Sequence, residues 1–169
     1  MSRCHVPYYF LLWLLVLPGC IATPESLALS ATDRISVWRE AQAIIDKKPR
    51  YSWGGHVTEE KGLDCSGFVY LVYRRAGIPV GRTTSRNMRL GRSGWDGEDL
   101  GDQPFQIGDL VFWTWRERPD RPDGHVGIIM NNWGSVEAAH SSARRGVVQD
   151  ALQGRFEEDI SARISIRSQ

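Results

Sequence analysis

The second half of the chain reads as strand after strand, and no other feature limits its fold so much. Leu110-Val111-Phe112-Trp113-Thr114-Trp115 is an unbroken β-prone run, entered through the turn Ile107-Gly108-Asp109. His125-Val126-Gly127-Ile128-Ile129-Met130 is a second run. Residues 135–140 return as a third after the turn Asn131-Asn132-Trp133-Gly134, and Val147-Val148-Gln149 follows another turn at 141–146. Residues 160–166 alternate apolar and polar as a closing strand. Upstream the apolar period is helical instead. Helices first and turn-linked strands afterwards predict an α+β domain with an antiparallel sheet. A chain of 169 residues has room for one such domain with a real core.

Two helices precede the strands. Over residues 30–47, Ile35, Trp38, Ala41 and Ile45 fall at helical steps, with Asp33 near the start and Lys47, Lys48 and Pro49 at the end. This is expected to be a surface helix with Trp38 turned into the core. In the second helix Phe68, Leu71, Val72, Arg75 and Ala76 share the period, and Arg74, Arg75 and Gly77 mark its end. Gly62 and Asp64 punctuate its start, which places Cys65 in the first turn. Unpaired N–H groups and the helix dipole favour an anion there, and the thiolate is the reactive form of cysteine. A small buried Cys packs equally well at a helix start, so this stretch alone supports both readings.

The connections differ in character. Tyr51-Ser52-Trp53-Gly54-Gly55 has two glycines after two aromatics, which suggests backbone passing close to another segment or to a substrate. Residues 78–106 carry no sustained period and are expected to be a long functional or mobile loop. Residues 116–124, with Pro119 and Pro122, read as an exposed connection.

The N-terminus looks like a targeting segment. Arg3 precedes the uninterrupted apolar run 8–17, which is too short to cross a bilayer and has the length of a signal-peptide core. Leu17-Pro18-Gly19-Cys20 resembles a lipobox, whose Cys becomes the lipid-modified N-terminus. The organisation expected is therefore a signal peptide over 1–19, lipidation at Cys20, a tether over 20–30 and a single catalytic domain over 31–169. The mature chain would be a membrane-anchored lipoprotein facing the periplasm. Cleavage near Ala22, giving a secreted soluble protein, is the alternative. Of the three cysteines two lie in this segment, so no disulfide framework is indicated, and no Cys/His spacing suggests a metal. The net charge of +1, with scattered basic residues, offers no stripe for nucleic acid.

The histidines add chemistry to Cys65. If the turn after Met130 is a tight one, His125 lies directly opposite His140 on one face of the sheet, and Gly127 opposite Ala138 leaves room for a helix start. A one-residue slip would separate the pair. Cys65 would then attack a carbonyl, with His125 as general base and later acid, and His140 would orient His125. The Cys65 backbone N–H and the Tyr51 hydroxyl would meet the oxyanion.

Six segments in order complete the pattern: Tyr51-Ser52-Trp53-Gly54-Gly55, Asp64-Cys65-Ser66-Gly67-Phe68-Val69, Gly81-Arg82-Thr83-Thr84, residues 107–112, His125-Val126-Gly127-Ile128 and Ala138-Ala139-His140. Together they resemble the NlpC-type cell-wall cysteine peptidases. The resemblance implies a papain-like α+β fold with the nucleophile helix packed on a five- to six-stranded antiparallel sheet, and a triad of Cys65, His125 and His140. It implies substrate-side or oxyanion roles for Tyr51, Asp64 and Ser66, no cofactor, no metal, and hydrolysis of peptidoglycan stem peptides by a monomer. A related envelope amidase or acyltransferase, or an inactive wall-binding lipoprotein, are the other readings of the same segments. The charged segment 86–102, the Arg- and Pro-rich 116–124 and Trp133 depart from the family pattern. They are expected to line or cap the groove, with 86–102 as a lid or as the site of a regulatory partner.

Overall fold

A computed structural model describes residues 28–54 and 58–167. The signal peptide, Cys20, most of the tether and Gly55 lie outside the described residues. Helix α1 spans Ala31–Lys47, α2 Cys65–Arg75, α3 Ser85–Arg89 and α4 Arg155–Glu158. The strands are β1 Gly97–Asp99, β2 Leu110–Trp113, β3 His125–Asn131, β4 Glu137–Ser142, β5 Gly146–Ala151 and β6 Ile160–Ile166. They form one antiparallel sheet in the order β1-β6-β2-β3-β4-β5, so the fold is the α+β type the sequence predicts.

Alternation along the strands divides the core in two. Leu110, Phe112, Val126, Ile128, Met130 and Ala139 face α1 and α2. Val111, Trp113, Ile129 and Ala138 face the other way, under Trp115, Phe156 and Leu152. His125 and His140 fall on this second face by the same period of two. The expected approach of the nucleophile helix to Gly127 is therefore corrected. A Cβ at Gly127 would meet the Trp113 ring at 3.1 Å and the Ala139 carbonyl at 2.9 Å, so the glycine makes room for an indole rather than for α2.

Helix α1 is capped by Ser30 and Asp33 in a reciprocal box. Its buried stripe is Val37, Ala41 and Ile44, whereas Ile35 is 59% and Trp38 41% exposed. Trp38 is thus not a core residue, because Val37-Ala41-Ile44 is a second helical stripe and the smaller side chains allow closer packing. Arg34 fixes the helix to the sheet. It donates to Ile107 O and Asp109 Oδ1, both at 2.8 Å, and to Ser165 Oγ at 3.0 Å. The fold also begins earlier than expected, since Ala28 bridges Arg167 and Leu29 is buried, so 28–30 is packed chain rather than tether.

Residues 78–106 are not a free loop either. Met88 and Trp95 are fully buried, Trp95 Nε1 donates to Gly81 O at 2.8 Å, and β1 pairs with β6. A segment anchored by two large apolar side chains and a strand does not swing as a lid. Trp133 is exposed on the β3–β4 turn, at the end of β3 away from His125, so it does not line the groove.

Candidate active site

The site is assembled around a strap of backbone. Leu63 accepts from Ser52 N–H and donates to Arg50 O, and Tyr51 bridges Leu63 in parallel, which lays Tyr51 beside Asp64 and Cys65. Two glycines permit it. Gly62 (φ +88) and Gly146 (φ +72) would place a Cβ 2.8 Å from Arg50 O and 2.3 Å from Pro49 O respectively. From the other side Ser141 Oγ on β4 donates to Leu63 O at 2.6 Å. Strand β4, the strap and the start of α2 are thereby tied at one point, next to His140.

Asp64 is the N-cap of α2 and accepts from Gly67 N–H at 2.6 Å. It also accepts from Ser66 Oγ at 3.0 Å and from Arg82 at 3.1 Å to each oxygen, while Arg82 donates to Ser66 Oγ at 2.9 Å. The polar atoms of Asp64 and Ser66 are engaged with each other and with Arg82, so both serve here to hold the helix start. Arg82, quoted in the sequence only as part of a motif, is the cation that balances Asp64.

Cys65 is 9% exposed. Its sulfur faces the backbone N–H groups of Val126, Ser66 and Cys65 itself, all of which favour the thiolate. Burial and then the Asp64 carboxylate outweigh them, and the thiol is pushed up to about 11. The helix start favours the thiolate locally, as the sequence leads one to expect, and the larger desolvation cost overrides it. Tyr51 is likewise pushed up to about 12, by burial first and then by Cys65 and Asp64.

His125 Nε2 lies 2.9 Å from His140 Nδ1, with the rings edge to face at 4.9 Å. The pairing differs in detail from the expected one. Ile128 is opposite Ala139 and Ile129 opposite Ala138, with a bulge before Asn131, so His140 is the diagonal neighbour of His125 rather than its direct partner. A slip of two residues keeps the face, and the imidazoles still meet. Burial first, then His140, lowers the His125 pKa to about 3. The pair is walled by Trp113, with ring centroids 5.3 Å from His125 and 6.0 Å from His140, and by Trp115 and Phe156. Trp113 Nε1 donates to Phe156 O at 2.6 Å and fixes the wall.

Behind the pair is a carboxylate that sequence reasoning missed. His140 Nε2 is 3.0 Å from Asp150 Oδ2, and Arg145 donates to Asp150 Oδ1 at 2.9 Å and to its other oxygen. A signal was available, since Val148 is opposite His140 and Asp150 is one step of two further along the same face.

A cleft of about 680 Å³ opens on the histidines. Tyr51, Trp53, Trp115 and Phe156 line it with Arg86 and most of 118–124, as expected for the Arg- and Pro-rich connection. Arg121, which also lines the cleft, lies over the exposed Trp53 ring, 5.6 Å from its centroid. The arrangement offers a buried thiol among N–H donors, an imidazole pair and an apolar groove, which suits acyl transfer through a thioester.

Comparison with known proteins gives the same architecture. The model of the NlpC/P60 family matches residues 48–163. The peptidoglycan DL-endopeptidase CwlO of Bacillus licheniformis is 30% identical over 118 residues, covering 68% of this chain and 24% of the relative. The murein DD-endopeptidase MepS/murein LD-carboxypeptidase of Escherichia coli K12 is 32% identical over 107 residues, 63% of this chain and 49% of the relative. The chain thus spans between a quarter and a half of the length of these curated relatives. Among solved structures, an NLP/P60-family protein from Staphylococcus aureus described as similar to lipoprotein superposes with a TM-score of 0.66 at 19% identity, over 87% of this chain and 45% of that one.

Proposed function

The chain belongs to the NlpC/P60 family, and from that premise we propose that it is a cysteine peptidase that hydrolyses peptide bonds in peptidoglycan stem peptides. The observation that carries this is the imidazole pair, His125 Nε2 to His140 Nδ1 at 2.9 Å, at the end of the strand whose next residue, Val126, has its backbone among the groups that favour the Cys65 thiolate. The site is neutral at rest. With the thiol held at about 11 and His125 at about 3, burial disfavours a standing ion pair. The nucleophile forms when substrate is bound: the Cys65 proton passes to His125 as sulfur adds to the scissile carbonyl. The backbone N–H groups at the start of α2 and the Tyr51 hydroxyl receive the oxyanion. His125 then gives the proton to the leaving amine. Water, deprotonated by the same imidazole, releases the acyl group from sulfur.

The two curated relatives are named for peptidoglycan and murein endopeptidase activity, which supports stem peptides as the substrate class. Purified muropeptides incubated with the full chain should yield two fragments whose masses sum to substrate plus one water, with the glycan intact. Muropeptides recovered unchanged would overturn this reading in favour of an inactive wall-binding protein.

Lipidation at Cys20 and a place in the cell envelope belong to the same reading. Growth with a labelled lipid precursor should label the wild type and leave Cys20→Ala unlabelled. An unlabelled wild type would favour a secreted soluble form.

A further inference from the structure

We propose that Asp150 is a positioning residue for this hydrolysis: through His140 it fixes the tautomer of His125 and so decides which ring nitrogen takes the Cys65 proton. The inference rests on the reading of Cys65 and His125 as nucleophile and base.

An ionised carboxylate only accepts hydrogen bonds, whereas a neutral imidazole has one N–H and one lone pair. Asp150 is kept ionised by Arg145, which lowers its pKa more than any other neighbour. His140 Nε2, at 3.0 Å from Asp150 Oδ2, must therefore be the protonated nitrogen of its ring. The lone pair of His140 is then on Nδ1. The hydrogen shared across the 2.9 Å between His140 Nδ1 and His125 Nε2 must come from His125. His125 is thus protonated on Nε2, and its free lone pair is on Nδ1. Two distances and one charge settle both tautomers.

The consequence for the reaction is electrostatic as well as geometric. When the thiol proton moves from Sγ to His125 Nδ1, the new imidazolium already has its Nε2–H aimed at an acceptor. That acceptor is polarised by a carboxylate on the far side of the same ring. The proton stays on His125 until the leaving amine takes it, and none needs to reach Asp150. The His140 ring is 3% exposed, so burial opposes any positive charge near it, and Asp150 is what works against that penalty. The ionisable groups facing His140 are His125 from β3, Asp150 from β5 and Arg145 from the β4–β5 turn. From β2 and α4 it meets only the rings of Trp113 and Phe156.

Asp150→Asn removes the rule, because an amide donates as well as accepts. For a carboxylate that orients an imidazole from behind, kcat on muropeptides should fall about 10–100-fold with little change in KM. Loss of the negative charge should also move the acid limb of kcat/KM to lower pH, since the histidines become harder to protonate. Asp150→Glu should recover part of the rate. Nitrogen-15 NMR of histidine-labelled protein at pH 8 reads the tautomers without any turnover. Both rings should be Nε2–H in the wild type, and mixed in Asp150→Asn. Nδ1–H rings in the wild type would overturn the proposal. So would an Asp150→Asn enzyme with unchanged kcat, or with a slower rate but an unmoved acid limb and unmoved tautomers. If the wild type cleaves no muropeptide, the hydrolase reading fails and the NMR arm still decides the role of Asp150.

Discussion

Cys65→Ala is expected to lower muropeptide hydrolysis by on the order of 10⁴-fold or more, as removal of a covalent nucleophile does elsewhere, and to leave the fold intact. The size of the loss follows from how the neighbouring hydroxyls are engaged. Ser66 Oγ donates to Asp64 and accepts from Arg82, and Ser141 Oγ donates to Leu63 O. The Tyr51 hydroxyl is pushed up to about 12 and is a poorer nucleophile than an ordinary phenol. None of them can take over the attack. The structural cost is small, because deleting one buried atom of this size is worth about 0.8 kcal/mol. Circular dichroism and the unfolding midpoint should therefore stay near wild type while cleavage vanishes. Cleavage retained within tenfold would remove Cys65 as nucleophile.

His125→Gln should show the second-largest effect and a changed pH profile. Glutamine can still donate to His140 Nδ1, so the variant removes the base and keeps the contact. Without a base, attack depends on thiolate formed by the thiol alone. With its pKa at about 11, roughly one site in 10⁴ is ionised at pH 7, so the rate should fall about 10³–10⁴-fold, within the range general bases supply. The sign with pH is then fixed. The variant's rate should rise about tenfold per unit as pH climbs towards 11, because each unit multiplies the thiolate tenfold. The wild type should stay level from neutral pH upward over the same range, since its base is already neutral there. A variant that keeps the wild-type profile, slow or fast, would show that His125 does not take the thiol proton.

How much of this was legible in the sequence depended on the range of the interaction. Strand β6 and the start of α2 were readable because alternation and caps are local signals. The shared face of His125 and His140 was readable because a two-residue register error preserves parity; the direct opposition was not, because the chain turns through 132–136 rather than a tight loop and the bulge between Ile129 and Asn131 leaves no mark in residue types. Trp38 misled because α1 carries two apolar stripes, and which one is buried is decided by α2 and β5, on which it packs. The state of Cys65 depends on long-range structure in the same way. A helix start is visible in the sequence, but the burial that overrides it is a property of the assembled domain. Asp150 needed the register across the β4–β5 turn, which pairs Val148 with His140, before it could be placed behind His140.

The central claim is that this site adds water across a peptide bond within the stem, and isotope placement tests it most directly. Muropeptides digested by the full chain in water enriched in oxygen-18 should give one product with a single heavy oxygen in a new carboxyl group. Tandem mass spectrometry should put that carboxyl inside the stem peptide. Label on the lactyl group of the sugar would make the protein an amidase, and an unlabelled product joined to an added amine would make it an acyltransferase. Either result, or uncleaved substrate, would contradict the account.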